Sequence, residues 1–81
     1  MVTAYVLLRV KPGMDKDVFL NVKRLLQVKE VVVVYGEYDL LVRIEVPSME
    51  DLDTFIFDTI RMISGVESST TLIKIKKPSK S

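Results

Sequence analysis

Two clusters of polar side chains in this sequence could hold a ligand or do chemistry. Tyr38 and Asp39 follow Gly36 and Glu37 and stand directly before the apolar run at residues 40–44. Ser69, Thr70 and Thr71 are consecutive hydroxyls, and alternation along a strand puts Ser69 and Thr71 on one face. A phenol and a carboxylate at a chain reversal can serve the turn, the carboxylate by accepting its backbone N–H groups, or they can meet something from outside. Hydroxyls on an apolar strand face need hydrogen-bond partners. The remaining carboxylate groups, Asp15 with Asp17 and Glu50 with Asp51 and Asp53, stand where helices are expected to begin. There the helix dipole and capping account for them without catalysis.

Catalytic chemistry has little else to draw on. The chain has no histidine and no cysteine, which removes the usual general base, the commonest metal ligand, thiolate nucleophiles and disulfides. No metal site and no cofactor are expected. The absence of cysteine fits a reducing cytoplasm. Gly13, Gly36 and Gly65 are too scattered for a phosphate-cradling loop. Twelve basic residues nearly cancel eleven acidic ones, for a net charge of +1, so no electrostatic case for direct DNA binding exists. Tyr5 and Arg9 are a thin version of an aromatic and basic nucleic-acid surface, with no RNP-like run around them. No apolar stretch is long enough for a membrane span. The first ten residues lack the marks of a signal peptide and read as a strand.

The elements that must position the two clusters can be read in order. With 81 residues, 48% apolar and 28% charged, the chain forms one small folded domain over residues 1–76, with a basic, disordered tail at 77–81. Residues 2–10 are a β-rich apolar run stopped by Pro12-Gly13. Val18, Val22, Leu25 and Leu26 recur at helical spacing, which predicts a helix over residues 14–27. Residues 31–35 form a second strand, Gly36-Glu37 close a hairpin, and residues 38–46 alternate as a third strand. Ser48 is an N-cap with Asp51 three residues on. Leu52, Phe55, Ile56, Ile60 and Ile63 form the apolar stripe of a second helix that Gly65 caps. Phe57 lies off that stripe and reads as a partly exposed aromatic at a subunit contact, ahead of the alternative of a pocket wall. A last strand covers residues 66–75.

The order βαββαβ predicts an α+β, ferredoxin-like domain, a four-stranded antiparallel sheet with two helices on one face. The first and third strands are apolar on both faces, unlike a sheet buried on one side only. A second copy of the chain covering the open face, a dimeric sandwich, is the simplest reading.

The stretch at residues 36–73 resembles the effector (RAM) domain of the Lrp/AsnC transcriptional regulators. The resemblance is carried by Gly36, Tyr38 and Asp39 at the turn, Leu52 and Phe55 in the helix, Gly65-Val66 after it, and Ser69 with Thr71 in the last strand. It extends over residues 2–76. Regulators of this family usually carry an N-terminal helix-turn-helix, so the chain resembles a stand-alone RAM protein. The resemblance implies dimers joined through their sheets, rings of dimers, and amino acid effectors bound between dimers. Gly36 and Tyr38 would then supply backbone groups and a wall, Asp39 would pair with the α-ammonium, and Ser69 and Thr71 would hydrogen-bond the polar groups of the ligand. Ser69 stands where the family more often has threonine, which keeps the hydroxyl.

The function this implies is a non-catalytic, cytoplasmic amino acid sensor that assembles with itself or with full-length regulators. Two alternatives remain from other classes: a cofactor-free dimeric monooxygenase or isomerase, and a ring subunit without a ligand.

Overall fold

The computed structural model describes residues 1–75; Lys76 and the tail expected at 77–81 lie outside them. Strand β1 (Val2–Val10) leads to helix α1 (Asp15–Lys23), then to β2 (Val28–Val33) and β3 (Leu40–Val46). Helix α2 (Met49–Asp58), a 3-10 turn (Ile60–Met62) and strand β4 (Val66–Ile73) complete it. The sheet order is β2-β3-β1-β4, every pair antiparallel, which is the ferredoxin-like arrangement expected.

Pairing resolves which face of each strand meets the helices. Ala4, Val6, Leu8 and Val10 of β1 are buried with Leu40, Val42, Ile44 and Val46 of β3. Against them pack Val18 and Val22 of α1, Leu52, Phe55 and Ile56 of α2, and Ile60. The opposite face carries Tyr5 across from Arg43 and Leu7 across from Leu41, flanked by Val32 and by Thr70 and Leu72. Arg43 is bracketed there by Glu45 at 3.0 Å and Glu30 at 3.5 Å. This face is therefore an apolar band with Arg43 set between two carboxylates and the exposed Arg9 at its rim.

Strand β3 begins at Leu40 rather than at residue 38, because Asp39 is taken up by the turn, and β4 ends at Ile73 rather than at residue 75. Three further elements depart from expectation, each for a physical reason. Helix α1 ends at Lys23 rather than near residue 27. Two tight turns, Leu25 N–H to Val22 O and Val28 N–H to Leu25 O, both 3.1 Å, bring the chain back to the sheet. Leu25 still packs on the core, while Leu26 is 89% exposed. Strand β2 begins at Val28, because a register shift around Lys29 breaks the alternation and turns Val28 and Val31 inward three residues apart. Val34 and Tyr35 leave the strand instead of extending it. Finally, the stripe through Ile60 and Ile63 belongs to a 3-10 turn rather than to α2. Gly65 accordingly serves the entry to β4, not a helix end, with φ at 98°.

The N-cap of α2 is as read. Ser48 Oγ accepts the Asp51 N–H at 3.1 Å and donates to the Asp51 carboxylate at 3.0 Å. Ser48→Ala is expected to cost about 0.5–2 kcal/mol, measured by urea unfolding, without change in assembly.

Candidate functional site

The antiparallel order brings four strand ends together at one end of the sheet: the exits of β1 and β2 and the entries of β3 and β4. Tyr38 and Asp39 sit there, with Ser69 close by across from Leu8, while Thr71, across from Val6, lies at the middle of the sheet. The β2–β3 connection is longer than a two-residue hairpin, and Val34 N–H closes it on Asp39 O at 3.0 Å. Gly36 is at its tip with φ at 135° and open space around it.

Asp39 is held on both its backbone and its side chain. Its N–H donates to Leu8 O at 2.8 Å, and its Oδ2 accepts the Val10 N–H, also at 2.8 Å, in a partly buried setting. The carboxylate thus continues the β1–β3 ladder past the last regular pair. Tyr38 reaches in another direction. Its hydroxyl lies 3.1 Å from Thr70 Oγ1, and because β1 lies between β3 and β4, the ring spans the end of β1. Thr70 pairs with Leu7, so this contact is on the open face of the sheet.

Ser69 and Thr71 pair with Leu8 and Val6 and therefore face the helix side. They line a groove of about 430 Å³ with Ile56, Arg61, Val66, Glu67 and Ser68. Neither hydroxyl is in a side-chain hydrogen bond among the described residues. The shared face expected for Ser69 and Thr71 is thus observed. Within one chain, however, Tyr38 is on the opposite face of the sheet from them, and Gly36 and Asp39 are not among the groove's walls.

Arg61 and Glu67 line the groove too, and the sequence reading missed them. Arg61 guanidinium lies 5.1 Å from the Phe57 ring centroid, and the i, i+4 spacing of that pair was a readable signal. Glu67 had none. It is the extra residue of a bulge, because Arg9 pairs with Ser68 while Val10 pairs with Val66. Among the described residues, no cluster of three acidic, histidine or cysteine side chains could hold a metal ion, and no helix is long and apolar enough to cross a membrane.

Residues 3–81 match the family described as the Lrp/AsnC ligand binding domain. The HTH-type transcriptional regulator FL11 of Pyrococcus abyssi is 36% identical over 73 residues, which cover 90% of this chain and 48% of the regulator. The chain spans about half the length of the curated relatives it matches. The crystal structure of FFRP-DM1 superposes with a TM-score of 0.90 at 40% identity, covering 93% of this chain and 100% of that one. Transcriptional regulator NMB0573 of Neisseria meningitidis, crystallised as a complex with L-Met, gives a TM-score of 0.85 at 19% identity. That likeness covers 94% of this chain and 51% of the regulator, and at such identity it speaks to the fold alone. From the profile match over nearly its whole length, this chain belongs to the Lrp/AsnC ligand-binding domain family.

Proposed function

We propose that this chain is a non-catalytic amino acid-binding and assembly module, cytoplasmic, acting with itself or with full-length Lrp/AsnC regulators to bias transcription. The observation that carries this reading is the groove at the sheet end, where the hydroxyls of Ser69 and Thr71 face open space. A zwitterion is costly to desolvate unless oriented partners meet both its charges. In the proposed assembly, Gly36, Tyr38 and Asp39 of one subunit approach Ser69 and Thr71 of its neighbour and complete such a site. One oxygen of Asp39 serves Val10, and the other is available to a ligand ammonium.

The open sheet face supports dimers. Tyr5, Leu7 and Leu41 are only half-buried, and Leu72 is 52% exposed, so a second sheet packed on them would remove a contiguous apolar band from water. An effector biases assembly only if it binds one assembled state better than another, and a site completed between subunits has that property. A small monooxygenase or isomerase would need a polar cavity between helices and sheet, and over β1 and β3 that space is packed. Leu8, Ile44, Leu52 and Ile60 fill that space, and no polar side chain is buried there among the described residues.

Asp39→Asn is the informative variant, because the amide oxygen can still accept the Val10 N–H while the charge is lost. Amino acid affinity is expected to fall about tenfold or more in isothermal titration, with the urea midpoint nearly kept. Asp39→Ala, by contrast, is expected to cost about 1–3 kcal/mol of stability by orphaning that N–H. Undiminished affinity in Asp39→Asn would take Asp39 out of the site.

A further inference from the structure

We infer that the open face of the sheet carries a charge lock that chooses the docking partner, with Lys74 of each copy meeting the Glu30 and Glu45 carboxylates of a second copy. This rests on the dimer proposed above and adds to it the orientation of the two sheets and the residues that select the partner.

The strand pairings lay the open face out in rows. Leu41 and Leu7 form the middle of it. The next row runs Glu30, Arg43, Tyr5 from β2 across to β1. Beyond it stand Glu45, across from Thr3, and Lys74, whose N–H donates to Thr3 O at 2.9 Å. Charge is spread unevenly over these rows. Glu30 and Glu45 share the one guanidinium of Arg43, at 3.5 and 3.0 Å, which leaves a negative charge on the β2 and β3 side. Lys74 is exposed and in no ion pair among the described residues. It puts a positive charge on the β4 side of the same end. Arg9, across from Ser68, is a second positive charge at the opposite end.

Sheets packed face to face in the aligned mode keep their strands within about 30° of each other. The twofold axis of a symmetric pair then lies between the sheets, either along the strands or across them. An axis along the strands keeps each residue at its own level and exchanges the sides. β4 of one copy covers β2 of the other, and β1 covers β3. Leu7 then meets Leu41, Arg43 comes onto the Tyr5 ring, and Lys74 arrives beside Glu30 and Glu45. The sheets are about 10 Å apart, a gap that the flexible stem of a lysine helps to span. An axis across the strands instead keeps the sides and exchanges the ends. Lys74 is then set beside Arg9 of the other copy, and Glu45 beside the turn that carries Asp39. Both are like-charged encounters with water excluded. The first arrangement matches the charges at both edges of the pair, and the second opposes them. A partner with the same apolar face and other charges leaves Lys74 or the carboxylates unmatched. The lock therefore favours a second copy of this chain over a chain that differs at these positions.

Charge reversal tests it. Lys74→Glu and Glu30→Lys each oppose like charges at both edges of a homodimer, whereas a mixed pair of the two variants regains opposite charges at both. Neither change touches the core: both side chains are exposed, residue 74 keeps its backbone bond to Thr3, and Arg43 keeps Glu45. In sedimentation equilibrium each variant alone should show a dissociation constant raised about tenfold or more over the wild type. An equimolar mixture should associate again, and native mass spectrometry should find mixed dimers outnumbering each homodimer by about tenfold or more. That recovery also verifies that both variants are folded. Homodimers as tight as the wild type, mixed dimers at their statistical share, or variants that stay apart when mixed each overturn the lock and leave the dimer face standing, which Leu41→Glu tests separately. A wild type that stays monomeric removes the dimer reading, and this inference with it.

Discussion

Gly65→Ala is expected to destabilise the domain by about 3 kcal/mol, more than any other single-methyl change considered. Two independent effects add at this position. Its φ of 98° lies in the left-handed region, where a side chain costs about 1–2 kcal/mol. A Cβ built there would also lie 2.7 Å from Val18 Cγ2 and 3.1 Å from Met14. Val18 is fully buried and cannot swing into solvent, so α1 must shift, at about 1–3 kcal/mol for overpacking. The Gly65 carbonyl moreover accepts the Lys11 N–H at 2.8 Å, which ties the β1 exit to the β4 entry. For a domain of this size the melting temperature should drop by about 12–24 °C. Gly36→Ala is the control, since its backbone is also left-handed but its added methyl meets nothing within 4 Å. If the two variants melt together, the packing part of this account is wrong.

Leu41→Glu should break the proposed dimer while sparing the fold. Leu41 sits mid-face, paired with Leu7 on one side and Val32 on the other. In a single chain it is half-buried, so a glutamate there can turn its carboxylate to water. Under a second sheet that carboxylate loses its water, and Arg43, the nearest cation along β3, is already engaged by Glu30 and Glu45. An unpaired carboxylate in such a place costs several kcal/mol, equivalent to a hundredfold or greater loss of affinity between chains. Sedimentation equilibrium should show monomers of Leu41→Glu at concentrations where the wild type is associated. Equal dissociation constants would mean the open face is not the dimer surface. A wild type that stays monomeric would mean the same.

Much of this architecture was legible in the residues. The alternation of Leu40, Val42, Ile44 and Val46 identified β3, and Leu52, Phe55 and Ile56 identified α2. What could not be read was which face of β1 and of β3 turns inward. Both faces of these strands are apolar, so only the folded chain, with Tyr5 across from Arg43 and Leu7 across from Leu41, separates core from open face. Bulges were equally silent. One near Lys29 hid the start of β2, and another placed Glu67 beside the groove, because an extra residue resets a two-residue period without leaving a compositional mark.

The candidate site was legible in part for the same reasons. Ser69 and Thr71 share a face as strand alternation requires. Tyr38, read as a wall of the ligand site, bonds Thr70 and so latches the hairpin to β4 on the other face of the sheet. Asp39 performs the structural role weighed for it, its Oδ2 accepting the Val10 N–H, and the ligand role proposed for it falls to the other oxygen. That dual duty is why a charge-only substitution, rather than truncation, separates function from stability.

The central claim is that an amino acid binds this domain and shifts its assembly. Isothermal titration against the full set of L-amino acids, with light scattering on the same samples, tests it most directly. The account predicts saturable heat with at least one amino acid, accompanied by a change in mass. No heat and no change in mass with any amino acid would contradict it.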